Sequence, residues 1–329
     1  MNKVSNRLGK GRRLQLISGR VHPELAKEVS EKLGIELSDV HVDNFANGEI
    51  RIKMNESLRG NDIFIIQAHH GYLNEAIIEQ VMMIDAAKRA SARSITAVCP
   101  FLGYARQDRK SSGREPIGAK VIIDMLSVAG ADRIMSVDLH SGQTQGFFDG
   151  PFDHLIAMPV FKKYIIDNFD PKDVVMVSPD AGRVKVSERY STSLGTDLAI
   201  IHKHRSKTTK NQSEARYLIG DVKGKVCITT DDMIDTAGTI CTAADLLMKN
   251  GAKEVVALST HGVFSEPSLD RLKDSAFSRV VVTNTLPAPA NDAGGKIKVL
   301  SIANLIADAI AAIYADESVS ALFEGGNQI

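Results

Sequence analysis

Residues 229–240 read TTDDMIDTAGTI. Three carboxylates, Asp231, Asp232 and Asp235, crowd against Thr236-Ala237-Gly238-Thr239, a run suited to holding a phosphate. The run follows a strand-like apolar stretch and opens an amphipathic helical pattern. Backbone N–H groups and the dipole at a helix start attract anions, and a glycine lets a ligand come close to the backbone. The hydroxyls of Thr236 and Thr239 add donors. A plain N-cap made by Asp235 or Thr236 is the bland alternative. Strand, acids, short glycine loop and helix in succession favour a ligand site. Asp231 and Asp232 stand where strands of open α/β sheets end and ligands bind. Carboxylates accept hydrogen bonds from sugar hydroxyls or coordinate Mg²⁺ through oxygen. The combination suits a sugar phosphate, its phosphate on the loop and its hydroxyls on the acids.

Other chemistry-bearing residues are less decisive on their own. The segment HKHRSKTTKNQSEARY at 202–217 is polar throughout, so it reads as a mobile surface loop, either a solvated linker or a catalytic lid. His140, beside Asp138 at the end of an apolar run, reads equally as a structural or a functional histidine. Arg106 and Gln107 read as surface residues after a strand unless a ligand claims them. The pair His69-His70 is rejected as a metal site, because adjacent side chains point in different directions. Phe147-Phe148 reads as packing. GDVKGK at 220–225 is one residue short of a phosphate-binding P-loop and has Val226 where a hydroxyl is required, and no G-x-G-x-x-G occurs.

The elements that must position these residues follow from hydrophobic periodicity. Runs at 64–67, 95–99, 133–137, 174–178, 198–201, 226–230, 255–259 and 279–283 read as buried strands, and Leu14–Ile17 as a further strand. Ile77, Val81 and Ile84 form one helical stripe. Ile122, Met125, Leu126 and Ala129 form another, and Ile240, Ala243, Ala244, Leu247 and Met248 a third. Alternating strand and helix predicts an α/β fold with largely parallel sheets. The segments from Gly60 and from Gly224 echo each other as strand, helix, strand. Tandem α/β domains or chance likeness between βαβ units both account for that echo. The length of 329 residues favours two domains. The boundary is expected near 150–158, dividing the chain into 1–157 and 158–329. A last helix over 302–314 could pack on either domain, the N-terminal one included.

Lys plus Arg equals Asp plus Glu at 40 each, so no global basic field points to nucleic acid or a membrane surface. No stretch reaches the ~18 apolar residues of a membrane span. The basic residues near the N-terminus lead into only a short apolar run, which is not a signal peptide. Cys99, Cys227 and Cys241 have no metal-type spacing and read as small core residues of a reduced compartment. A cytoplasmic protein is expected.

TTDDMIDTAGTI resembles the phosphoribosyl-diphosphate motif shared by phosphoribosyltransferases and ribose-phosphate diphosphokinases (PRPP synthetases). FANGEI at 45–50, PFLGYARQDRK at 100–110, SVDLHSGQTQGFFDGP at 136–151, SPDAG at 178–182, IIHKHR at 200–205 and THGVFS at 260–265 resemble PRPP synthetase signatures in order. The resemblance runs from about Gly19 to Phe323; phosphoribosyltransferases resemble only the second half. It implies two tandem phosphoribosyltransferase-like domains and formation of 5-phosphoribosyl 1-diphosphate (PRPP) and AMP from ribose 5-phosphate and ATP with Mg²⁺. By resemblance, Asp235, Thr236, Ala237, Gly238 and Thr239 hold the 5-phosphate, and Asp231 and Asp232 the ribose hydroxyls. Phe45, Asn47, Gly48 and Glu49 shape the adenine pocket across a subunit interface, with Arg106 and Gln107 on ATP. His140 and Asp180 serve the metal, and Lys203 and Arg205 reach the transferring group, Arg205 also touching the sugar phosphate. The family assembles as hexamers of dimers, with inorganic phosphate as activator and ADP as inhibitor. Ser57, Arg59, Gln143, Ser318, Ser320 and Phe323 fall at the regulatory pocket. Many members have a second Gly after SPDAG and an Arg three residues on; here Arg183 and Val186 stand there, as in similar actinobacterial sequences. That leaves the backbone beside Asp180 open. An inactive, regulatory family member and a plain phosphoribosyltransferase are the alternatives.

Overall fold

A computed structural model describes residues 12–204 and 215–323. The chain divides into two compact units. The first runs to Ile156 and takes back Thr285–Pro287 and the chain from Ser301 onward; the second holds Ala157–Asn284 and Ala288–Leu300.

In the first unit β1 (Leu14–Ser18), β4 (Asp62–Ile66), β5 (Ser94–Cys99), β6 (Arg133–Val137) and β7 (Phe152–Leu155) form one parallel sheet in that order. β4 reads DIFII and is buried along its whole length, as a strand covered by helices on both faces must be. Helices α1 (Pro23–Leu33), α2 (Leu73–Arg89) and α3 (Gly118–Ala129) join the strands. β2 (Val40–Asn44) and β3 (Ile50–Met54) form a separate antiparallel hairpin. The closing helix α8 (Ala303–Tyr314) belongs to this unit and packs on α1.

The second unit contains α4 (Met158–Asn168), α5 (Val184–Leu194), α6 (Gly238–Lys249) and α7 (Ser268–Asp274). Its strands are β8 (Val174–Ser178), β9 (Asp197–His204), β10 (Ala215–Ile219), β11 (Val226–Ile234), β12 (Glu254–Gly262), β13 (Arg279–Thr283) and β14 (Ile297–Leu300). The sheet order is β10-β9-β8-β11-β12-β13-β14, parallel except at β10. The core gathers Val175, Val177, Cys227, Val255 and Val280 from the sheet with Ala243, Ala244 and Leu247 from α6.

The expected buried strands and helical stripes coincide with observed elements to within a few residues at their ends. The polar segment 202–217 does not match its expected loop at either end. β9 continues to His204 and β10 starts at Ala215, with Ala215 opposite His204 and Ile219 opposite Ile200. Ladder hydrogen bonds need only backbone, and an edge hairpin tolerates polar side chains, so polarity concealed these strands. Arg205 lies outside the described residues, and of Lys203 only the backbone, in β9, is described. No helix among the described residues is long and apolar enough to cross a membrane.

Candidate active site

β11 runs four residues past the expected strand end, so Asp231 and Asp232 lie inside its paired length, with Asp231 opposite Ser259 of β12. Pairing with β8 stops at Thr229, which leaves the acids beyond β8 at the carboxyl end of the sheet. Asp232 is buried and Asp231 partly so. The Asp232 backbone N–H donates to Asp231 Oδ1 at 2.9 Å. Burial first, and the neighbouring Asp232 second, push the Asp231 carboxyl well above the usual carboxylate range. The hydroxyls of Thr229 and Thr230, unusual in so buried a strand, find partners in the Val256 carbonyl and the Ser187 hydroxyl.

After Ile234 the chain turns into α6 through Asp235-Thr236-Ala237. Ile234, Ala237 and Ile240 face the core, which leaves Thr236 and Thr239 exposed. Ala237 occupies the N-cap in the left-handed region, φ 60°, and its methyl side chain cannot cap the helix. A non-glycine residue held in that region costs on the order of 1 kcal/mol or more. Neither Asp235 nor Thr236 stands at the N-cap position itself, which Ala237 takes. A helix start has N–H groups outside the intrahelical ladder, the feature an anion cradle uses.

Arg271 on α7 completes the loop and was not legible in the sequence. Its Nη1 donates to the Thr236 carbonyl at 2.9 Å. A Cβ at Gly238 would lie 3.4 Å from the same nitrogen, so the guanidinium lies directly against the loop. Nothing in SLDRLKD marks that arginine apart from the other charges of a short surface helix.

Asp180 caps a 3-10 turn, Ala181–Arg183, by accepting from the N–H groups of Gly182 and Arg183 at 2.9 and 3.2 Å through Oδ1. Arg183 has φ −100° and ψ 3°, a backbone that any residue adopts, so the turn beside Asp180 forms without a second glycine. The Arg183 side chain bridges the acids. Its Nε is 3.1 Å from Asp231 Oδ1 and its Nη2 pairs with Asp232 Oδ1. Val186 is half-buried on α5, and nothing in the structure gives it a site role.

The remaining candidates stand in the first unit. The β2–β3 hairpin turns through Phe45–Glu49, where Gly48 takes φ 93°. Phe45 is 50% exposed at the tip, with Arg51 over its ring at 5.3 Å, and Asn47 and Glu49 are exposed beside it. The hairpin root is tied down: Arg20 donates to Asn44 Oδ1 at 2.7 Å and to the buried Glu79 at 2.6 Å. Arg106 and Gln107 are exposed after a turn closed by Gln107 N–H on the Tyr104 carbonyl. His140 is exposed just past β6. The preceding Leu139 N–H donates to His154 Nε2 at 2.9 Å, and Asp138 sits at φ 39°. Strained backbone beside an exposed histidine supports the functional reading of His140.

His69 is sealed between Gln80, at 2.8 Å, and the Gly103 N–H, at 3.0 Å, and burial pushes it down to about 4; the His pair is structural. Ser57, Arg59, Gln143, Ser318 and Ser320 are exposed, whereas Phe323 is buried and faces the packing.

No group of three or more His, Cys, Asp or Glu is gathered for a metal among the described residues. Mg²⁺ is commonly held by one or two carboxylates, its other positions taken by water and phosphate oxygens. Asp180, in the second unit, keeps Oδ2 without a hydrogen-bond partner among the described residues, and His140, in the first, is exposed.

The chain is related to known proteins along most of its length. Residues 14–130 match the N-terminal domain of ribose phosphate pyrophosphokinase, and residues 215–324 match the phosphoribosyl synthetase-associated domain. A ribose-phosphate pyrophosphokinase of Streptomyces avermitilis is 52% identical over 313 residues, 95% of this chain and 97% of that one. One from Mycobacterium tuberculosis is 47% identical, covering 95% and 96%. The crystal structure of phosphoribosylpyrophosphate synthetase from Mycobacterium smegmatis superposes with a TM-score of 0.87 at 49% identity, covering 92% of this chain and 99% of that one. The chain belongs to the ribose-phosphate pyrophosphokinase (PRPP synthetase) family.

Proposed function

We propose that the chain transfers the β,γ-diphosphoryl group of ATP to the anomeric hydroxyl of ribose 5-phosphate, giving PRPP and AMP. The observation that carries the reading is the end of β11: two acids on the strand, then a short turn into a helix start with Ala237 in the left-handed region. The 5-phosphate sits on the Asp235–Thr239 loop, whose N–H groups and hydroxyls donate to it. Asp231 and Asp232 accept from the ribose hydroxyls, which fixes the anomeric oxygen at one place.

ATP is held by Phe45, Asn47, Gly48 and Glu49 on the β2–β3 hairpin, by Arg106 and by Gln107. The half-exposed Phe45 ring offers a face for the adenine, and the hairpin is contributed by a second copy of the chain in a homo-oligomer of hexamer type. His140 and Asp180 would hold a Mg²⁺ that comes with the nucleotide, and its charge would offset that of the polyphosphate. Phosphoryl transfer has a loose, charge-spread transition state, so positive charge and positioning do most of the work. Lys203 on β9 and the adjacent Arg205 supply that charge. Inorganic phosphate is an activator, at a pocket that includes Ser57, Arg59, Gln143, Ser318 and Ser320; Phe323 shapes that pocket from within the packing. The three free cysteines fit the cytoplasm as the working compartment.

AMP formation followed with and without ribose 5-phosphate and Mg²⁺ tests the reading. Ribose-dependent AMP is expected; its absence would favour a regulatory, inactive family member. Lys203→Ala should lower turnover on the order of 10³-fold while ribose 5-phosphate still binds, and unchanged turnover would remove Lys203 from the mechanism. Sedimentation across phosphate concentration checks the hexamer.

A further inference from the structure

Arg183 has no place in the roles above, yet it makes the most direct contacts with the sugar acids. It is 18% exposed, and its guanidinium spans the two carboxylates, Nε to Asp231 Oδ1 at 3.1 Å and Nη2 to Asp232 Oδ1. The position is built, not incidental. Asp180 caps the turn that delivers Arg183, accepting from the Arg183 backbone N–H itself, and α5 continues from Val184. A planar guanidinium with donors in a fixed fork suits two oxygens on neighbouring residues, which a lysine ammonium does not match.

We propose that Arg183 is an internal counter-ion of the acid pair: it occupies the carboxylate oxygens that a sugar diol or a divalent cation would use, and such a ligand must displace it. This rests on the reading of Asp231 and Asp232 as the sugar-binding acids. Without a cation, two carboxylates this close would repel each other and would attract any free divalent ion. With the guanidinium in place one of the two negative charges is offset from within, and the site attracts cations less strongly until a sugar hydroxyl pair competes for the same oxygens. The site is thereby tuned to accept a sugar phosphate rather than a bare metal ion.

The test measures binding to the full-length, nucleotide-free protein. Mn²⁺ is titrated by electron paramagnetic resonance against wild type, Arg183→Gln and Arg183→Lys, each first checked for cooperative melting. Arg183→Gln should bind Mn²⁺ about tenfold more tightly, with Arg183→Lys between it and wild type, because the acid pair loses part or all of its internal cation. The gain should vanish when Asp231→Asn and Asp232→Asn are added. Ribose 5-phosphate, titrated by calorimetry without metal, should bind Arg183→Gln several-fold more tightly than wild type, since nothing has to be displaced. Mn²⁺ affinity in Arg183→Gln equal to or weaker than wild type would overturn the proposal, as would a gain that survives loss of both acids. Unchanged or weaker sugar binding in Arg183→Gln would overturn it as well. The metal titration does not depend on turnover. A protein that makes no ribose-dependent AMP but shows the Mn²⁺ gain would sink the proposed reaction and leave the counter-ion standing.

Discussion

In the first unit β4 runs into α2 through Gln67–Tyr72; in the second, β11 runs into α6 through Asp235–Ala237. The surroundings correspond strand for strand. β1-β4-β5-β6-β7 and β8-β11-β12-β13-β14 are both all-parallel, and in each unit a hairpin, β2–β3 or β9–β10, is inserted between the first two strands. At the switch between strand and helix the two have diverged. The first unit fills that place with side chains that satisfy one another. Gln67 donates to Glu79, Arg20 pairs with Glu79, and His69 lies between Gln80 and the Gly103 N–H. The second unit instead places a buried and a partly buried carboxylate and a helix start at the carboxyl end of its sheet, held by one arginine on the acids and another behind the loop. A Cβ at Gly19, beside Gln67, would meet that side chain at 2.2 Å, so the first site is closed by its own side chains. One backbone plan thus serves as packing in one half and as the proposed binding site in the other, and the choice lies in the side chains at the switch.

The comparison is broken most severely by making the second site chemically like the first. Asp231→Asn with Asp232→Asn keeps the shape and removes the charge. Steady-state AMP formation should fall on the order of 10³-fold, as when positioned hydrogen-bonding partners of a reacting group are lost. A fall below tenfold would mean that the acids do not position the sugar. The reverse change belongs to the first unit. Glu79→Ala leaves the Arg20 head, the Gln67 amide and the Arg20 N–H without their shared acceptor and should cost about 3 kcal/mol of stability. Urea unfolding monitored by circular dichroism checks it, and a loss under about 1 kcal/mol would show that the cluster is not the seal described here.

The sequence already contained the second site and almost none of the first. Buried parallel strands read as near-continuous apolar runs, so β4, β5, β6, β8, β11, β12 and β13 were legible. TTDDMIDTAGTI was legible because acids, glycine and helix start are contiguous. What escaped is what depends on distant parts of the chain. The hairpin strands β2, β3 and β10 and the edge strand β14 mix polar and apolar residues over only four or five positions, too short for periodicity to speak. Arg271 and Arg183 reach their partners across 35 and 48 positions of chain, respectively, and a charge in a polar segment gives no sign of that. Arg183 was visible only as an unexpected residue beside Asp180. The structure turns it from a doubtful backbone position into a bridge between two acids.

Arg271→Ala sharpens the contrast without destroying the site. The loop keeps its backbone but loses one charged donor behind Thr236, so the KM for ribose 5-phosphate should rise about tenfold, the scale of one hydrogen bond to a charged group. The KM for ATP should stay within about twofold. An equal rise in both would mean that Arg271 acts on the fold, not on the loop.

The smallest effect concerns the charge that each unit carries at its switch point. His69 is held neutral by burial, down to about 4, so unfolding takes up a proton between that value and the usual 6.5 and the first unit loses stability as pH falls through this window. Asp231 has the opposite sign. Its carboxyl is raised by burial and by Asp232, so the folded chain holds a proton more readily than the unfolded one, and ionisation at higher pH costs stability. Asp231→Asn removes that cost. Its melting temperature should exceed that of wild type by a few degrees at pH 7.5, on the order of 1 kcal/mol, and the excess should shrink towards pH 5, where the wild-type carboxyl is protonated in the folded chain. Scanning calorimetry of both proteins at the two pH values measures it. An excess that grew on acidification would mean that Arg183 stabilises the Asp231 carboxylate by more than burial and Asp232 oppose it, and the second site would then be as well satisfied as the first.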